Sequence, residues 1–204
     1  MIALGFNHEP LQQTMQKYRI VAEDLKRALN IHGWDGRWFK RAYTDEGVPL
    51  GSIENEECRI DSISQSWGII SGAADNDKKY ISMGALENHL IDAENGIMKL
   101  LDPPFNKTKI EPGYIKAYLP GVRENGGQYT HAAAWAIIAF SMLGFGDKAL
   151  EYYRMINPIE HTRTREAVKK YKAEPYSIPA DIYSGGGLAR QRRMDMVHRF
   201  SELV

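Results

Sequence analysis

Gly121-Val122-Arg123-Glu124-Asn125-Gly126-Gly127-Gln128-Tyr129-Thr130-His131 is a glycine-rich loop, loaded with charged and polar side chains, that runs straight into an apolar helical segment. The free N–H groups and positive dipole end of a helix start make an anion site. A first-turn histidine adds a donor to the same anion, and phosphate is a natural occupant. The residues also admit a plainer reading, in which Gly126 and Gly127 only turn the chain and His131 caps or packs. Arg123-Glu124 is equally double. It reads as a solvated ion pair worth about 0–1 kcal/mol, or, between glycines, as a carboxylate that accepts from two adjacent sugar hydroxyls while the guanidinium orients it or reaches phosphate.

Working outward from this loop, helical periodicity dominates. Thr130 is expected to cap a helix reaching about Leu143, Asp147 opens another to Ile156, and Thr162 starts a last one ending near Tyr171. On the other side, 102–127 carries too many prolines and glycines for any regular element, yet includes Tyr114, Ile115 and Tyr118. A structured loop of that length usually has a function. Further upstream, Asp75 caps a helix to about Asp92 with Ile81, Leu86 and Leu90 inward. Asp61 or Ser62 caps one through Ile70, with Ile63, Trp67 and Ile70 on one face. The alternation from Arg37 to Tyr43, closing at Asp45-Glu46-Gly47, predicts a short strand and turn. From Pro10 to Ile31 the residues Leu11, Met15, Tyr18, Ala22, Leu25 and Leu29 recur at spacings of three and four, the pattern of one long amphipathic helix. Six helices with short strand-like insertions make the chain mainly α, compatible with an α/α toroid, part of one, or an irregular bundle.

Composition narrows the partners. With 204 residues the chain is long enough for one core, or is a piece of a larger domain. The 26 basic residues balance the 26 acidic ones, so no net field draws it to nucleic acid or an anionic membrane. The single cysteine, Cys58, can form neither an internal disulfide nor a cysteine metal cluster, which fits a reducing, cytoplasmic setting. No apolar run is long enough to span a bilayer, and the N-terminus lacks a signal-peptide pattern. Eleven tyrosines and four tryptophans suit surfaces on which sugars stack, although most such rings are core or boundary residues.

Several segments in one order resemble glycoside hydrolase family 94. They are Gly36-Arg37-Trp38-Phe39 with Arg41-Ala42-Tyr43, Gln65-Ser66-Trp67, Arg123-Glu124-Asn125-Gly126-Gly127 with His131 and Trp135, and Tyr171-Lys172-Ala173-Glu174-Pro175-Tyr176. Within that family, Glu57-Cys58-Arg59-Ile60-Asp61-Ser62, Pro103-Pro104-Phe105, Pro112-Gly113-Tyr114-Ile115-Lys116 and Gln128-Tyr129-Thr130-His131-Ala132-Ala133 look most like the domain at the C-terminus of cyclic β-1,2-glucan synthases and like β-1,2-oligoglucan phosphorylases. The resemblance implies that 1–184 is the C-terminal half of an (α/α)6 barrel, part of an enzyme that cleaves or forms β-glucosidic bonds with inversion. Inorganic phosphate is the co-substrate, and no metal or other cofactor is implied. His131 matches the family's phosphate-binding histidine. Glu124 and Arg123 match positions lining the sugar subsites, and Tyr118 falls where a substrate-facing tyrosine is expected. The implied partners are a β-glucan oligosaccharide, phosphate and the N-terminal part of the same polypeptide. A glucan-synthase parent would be embedded in the inner membrane with this domain on the cytoplasmic side.

The chain departs from the family in two places. The family's general acid is an aspartate in a Trp/Asp/Asn-rich motif upstream of a helix like the one at Pro10; this chain has no such motif, and Asp35, Asp61 and Asp181 lie in segments matching other parts of the family. The expectation is an incomplete, inactive piece. The alternative is a non-catalytic carbohydrate-binding or chain-length-sensing module. After Ser184 the family continues with a Gly-Gly-Trp-Thr-Trp-Tyr-Thr-Gly-like segment that completes the phosphate site, whereas here Gly185-Gly186-Gly187-Leu188-Ala189-Arg190-Gln191 follows. Met194-Asp195 and Met196-Val197 both give tryptophan when read one base later. From Arg192 the shifted frame can therefore encode the family's segment, and 185–204 reads as a frameshifted tail.

Overall fold

The structure is a computed structural model that describes residues 8–183; the frameshift reading of 185–204 lies outside the described residues. Six α-helices occur among those residues: α1 (His8–His32), α2 (Ser62–Ile70), α3 (Asn76–Leu90), α4 (Thr130–Met142), α5 (Gly146–Ile156) and α6 (Arg165–Tyr171). Between them run β1 (Ala42–Tyr43), β2 (Pro49–Leu50), β3 (Ile60–Asp61), β4 (Ile91–Asp92), β5 (Ile97–Met98), β6 (Leu101–Asp102), β7 (Gln128–Tyr129) and β8 (Asp181–Ile182). The strands pair antiparallel as β1–β2, β3–β6, β4–β5 and β7–β8. The chain is therefore mainly helical with short strands.

Helix ends follow local chemistry except where long-range pairing takes over. Asp61 caps α2 by accepting from the Ile63 N–H at 2.8 Å. Thr164 caps α6 through its hydroxyl and the Ala167 N–H at 3.1 Å, so α6 starts after Thr162, which closes a separate 3₁₀ turn at Glu160–Thr162. Thr130 does not cap α4. Its hydroxyl donates to Pro179 O at 2.7 Å and its N–H to Ala180 O at 2.9 Å, because the segment leading into β8 offers both carbonyls. Asp75 precedes α3 with no side-chain cap bond. In place of a continuous strand from Arg37 to Tyr43, Trp38 and Phe39 are buried, Phe39 makes a single antiparallel bridge to Trp34, and Ala42–Tyr43 pairs with Pro49–Leu50 across the turn at Asp45-Glu46-Gly47.

The main core joins α2, α3, α4 and α5. Met83, Leu86 and Leu90 of α3 meet Ile69 of α2 and Ala133, Ala136, Ala139 and Phe140 of α4, while Ala149, Tyr152 and Ile156 close it from α5. The alanine face of α4 lets α2 and α5 approach it closely on either side. One inward expectation fails: Ile81 is exposed and Met83 is buried in α3; in α2, Ile69 is buried and Trp67, on the face expected with Ile63 and Ile70, is exposed. Among the described residues nothing covers the apolar stripe of α1. Leu11, Met15, Tyr18, Leu25 and Leu29 are exposed, and α1 is tied to the body at its C-terminal end. There the Asn30 amide donates to Ala73 O at 2.7 Å, and Lys78 Nζ donates to Asn30 O at 2.7 Å.

Buried amides staple the loops to this core. Gln65, fully buried, accepts from the Phe39 N–H at 2.9 Å and donates to the carbonyls of Phe39 and Asp61 at 2.9 Å. Trp38 Nε1 donates to Gly51 O at 3.1 Å and Arg59 O at 2.8 Å. The two segments Gly36–Phe39 and Gln65–Trp67 are thus partners in one structural joint.

Candidate substrate-binding site

The site is built on the long connection from β6 to β7, which is ordered by backbone bonds that its neighbours satisfy. Glu57 accepts from the N–H groups of Asn106, Lys107 and Thr108 at 2.7, 2.8 and 3.1 Å. Its slight burial would raise the carboxyl, but these donors and the charge of Lys116 hold it below the ordinary glutamate value. The connection contains a 3₁₀ turn at Gly113–Ala117, regular structure that proline and glycine content had excluded. Leu100 N–H to Gly127 O and Ser62 N–H to Leu100 O, both 2.8 Å, bring the end of the loop against α2.

Within the glycine-rich stretch the residues divide their work. Asn125 and Gln128 are fully buried scaffolding. Asn125 accepts from Phe105 N–H at 2.7 Å and donates to the carbonyls of Phe105 and Tyr118 at 2.8 Å; Gln128 accepts from Met98 N–H at 2.8 Å. A Cβ on Gly127 would lie 2.8 Å from Arg123 O, so the turn requires glycine there. This close turn holds Arg123 at φ +48°, a left-handed conformation uncommon outside glycine and a form of strain that concentrates at binding sites.

Arg123 and Glu124 are directed into a polar cluster. The Arg123 guanidinium stands over the Tyr118 ring, 5.6 Å from its centre, and interacts with the side chains of Tyr118 and Tyr183 and with the charge of Asp181. The ionisation of the Tyr114 hydroxyl is pushed up, first by the charge of Glu124. Asp181 is brought in by β8, which pairs it with Tyr129. Burial, and secondarily Glu124, raise the Asp181 carboxyl above the ordinary aspartate value against the pull of Arg123. Glu124 Oε2 and Asp181 Oδ2 are buried with no hydrogen-bond partner among the described residues.

His131, in the first turn of α4, is exposed and sits in a run of aromatic rings. It meets Tyr129 edge-to-face at 4.5 Å and Trp135 at 5.0 Å, and Trp135 in turn meets Trp67 at 5.4 Å. The charged cluster and the aromatic run meet at Tyr129, the β-partner of Asp181 and a neighbour of Tyr114. The four residues expected from sequence are thus disposed as Arg123, Glu124 and Tyr118 in the cluster and His131 along the run. Sequence reading did not select Asp181, Tyr114 or Tyr129. Asp181 had no local signal, because its place depends on a strand pairing with a residue 52 positions earlier.

The chain matches the family described as glycosyl hydrolase 94 superfamily, catalytic domain, over residues 7–190. Over 167 residues it is 50% identical to the cyclic beta-(1,2)-glucan synthase NdvB of Rhizobium meliloti, covering 82% of this chain and 6% of that protein. It is 30% identical over 167 residues to the N,N'-diacetylchitobiose phosphorylase of Vibrio proteolyticus, covering 81% of this chain and 20% of the relative. It is 33% identical over 171 residues to the solabiose phosphorylase of Paenibacillus borealis, covering 81% of this chain and 21% of the relative. The chain therefore spans about a fifth or less of the length of the curated relatives it matches.

Proposed function

Because this chain belongs to the glycosyl hydrolase 94 superfamily, we propose that it is the sugar- and phosphate-contacting part of a glycoside phosphorylase-type catalytic domain that acts on β-1,2-linked glucans. The observation that carries this reading is the joining of an Arg123–Glu124 polar cluster, with buried unsatisfied carboxylate oxygens, to the exposed His131 and its aromatic run. Unsatisfied buried acceptors are costly and rare in native proteins. A pyranose has what they need: hydroxyl donors on its rim, and apolar faces for tyrosine and tryptophan rings. The β-1,2 linkage is supported by the 50% identity to a cyclic beta-(1,2)-glucan synthase.

In this reading His131 and the start of α4 hold phosphate while Glu124, Arg123 and Tyr118 hold the sugar. Phosphate oxygen attacks the anomeric carbon from the face opposite the leaving glucosyl oxygen, the carbon–oxygen bond breaks, and the leaving oxygen takes a proton from a general acid. Phosphate is already an anion, so no protein base is required, unlike the water-activating carboxylate of an inverting hydrolase. The acid is proposed to lie outside this chain, in the remainder of an (α/α)6 barrel whose C-terminal half is formed by 1–184.

The test is direct. Titrating the chain with β-1,2-linked glucotriose and with inorganic phosphate, followed by NMR, should show weak binding of both. His131→Ala should remove the phosphate response and Glu124→Gln the sugar response. The chain alone should release no glucose 1-phosphate, because general-acid help is worth about 10²–10⁴-fold. Sustained release that is abolished by mutating one aspartate of this chain would overturn the placement of the acid, and absence of sugar binding would overturn the function.

A further inference from the structure

The polar cluster contains two carboxylates. Asp181 feels the charges of Arg123 and of Glu124, which is next to Arg123 in the chain. Each keeps one oxygen, Asp181 Oδ2 and Glu124 Oε2, that is buried without a hydrogen-bond partner among the described residues. A carboxylate whose only task was to neutralise Arg123 would not need to leave an acceptor desolvated and empty beside a second one, since each such acceptor works against folding unless something supplies a donor.

The ring of Tyr114 shows what kind of donor fits. Tyr114 is 65% exposed, and its hydroxyl lies within reach of the Glu124 charge. It rides on the 3₁₀ turn Gly113–Ala117, none of whose five residues is buried. A ligand hydroxyl approaching Glu124 from the Tyr114 side would meet a carboxylate that still has an unpartnered oxygen.

We propose that Asp181 and Glu124 together form a clamp for two adjacent hydroxyls of one pyranose, with Arg123 holding the two carboxylates in register and the β7–β8 pairing positioning Asp181. The clamp rests on the sugar-binding reading above and adds Asp181 to it as a residue that decides which sugar is accepted. A deoxy sugar leaves one acceptor unpaired in the clamp, and sites built to bond a hydroxyl discriminate strongly against analogues lacking it.

Binding of β-1,2-linked glucotriose and its monodeoxy analogues to the full chain, measured by calorimetry or NMR, separates the outcomes. The parent chain should bind at least one monodeoxy analogue about tenfold more weakly than the parent sugar, roughly the factor of one lost net hydrogen bond. Asp181→Ala should weaken the parent sugar by a similar factor and erase that discrimination, because the missing hydroxyl and missing carboxylate belong to one contact. Asp181→Asn, which preserves shape, should act in the same direction, and phosphate binding should stay unchanged in both. Sugar binding with undiminished discrimination in both variants overturns the clamp and leaves the function standing. No sugar binding by the parent chain overturns the function and the clamp with it.

Discussion

Asn125 does more to shape the site than its charged neighbours do. Its amide bridges Phe105 and Tyr118, 20 and 7 residues away, with three bonds of 2.7–2.8 Å from a fully buried position. Replacing it with alanine strands two backbone groups of Phe105 and one of Tyr118, so Asn125→Ala should cost about 2–4 kcal/mol in urea unfolding, on the scale of about 1–3 kcal/mol per stranded buried group with partial relaxation. Asn125→Asp keeps the acceptor but sets a buried carboxylate oxygen against two carbonyls, and should cost at least as much as alanine at pH 7. Cys58 is another residue whose role is set by its surroundings. Burial first, and then the Asp61 charge, push its thiol up to about 12, so it is a packing residue beside Leu101 and Phe105 rather than a nucleophile.

At the scale of elements, α3 and α5 are joined by one polar contact at the edge of the core. Glu87 of α3 accepts from Lys148 Nζ at 2.7 Å and from the Tyr152 hydroxyl at 2.7 Å, both on α5. Partial burial alone would raise the Glu87 carboxyl, but the two hydrogen bonds and the ammonium charge outweigh it and hold it below the ordinary value of 4.5. A carboxyl lowered by folding contributes stability that is present above its unfolded value and lost as pH falls through its folded one. Glu87→Gln should therefore cost about 0.5–1 kcal/mol at pH 7, after discounting for the partial exposure of both partners, and the gap to the parent should narrow progressively in unfolding measured as pH falls below the ordinary value of 4.5. The elements themselves were legible. Period and capping chemistry located all six helices to within a few residues, because a cap such as Asp61 acts on an N–H two residues away. Thr130 escaped that logic when β8 took its hydroxyl and N–H from 50 residues downstream.

Across the whole molecule, the most consequential feature is an amphipathic helix, α1, whose apolar stripe is exposed among the described residues. Leu25 is 59% exposed and Leu90 fully buried, although both are leucines in helices. Leu25→Lys should therefore change the stability of this chain by less than about 0.5 kcal/mol, whereas Leu90→Ala should cost about 2–5 kcal/mol. A large loss at Leu25 in chemical unfolding would mean that the α1 face is covered in solution. The sequence by itself determined the helical class, the position and spacing of the six helices, the family and the loop that bears Arg123, Glu124 and His131, since all of these rest on patterns a few residues long. Only the tertiary structure decided which apolar stripes were buried, that Asn125 and Gln128 would be scaffolding, and that Asp181 would join Glu124. Those outcomes depend on which distant segments meet, and a residue's burial and unsatisfied hydrogen bonds are properties of its neighbours in space.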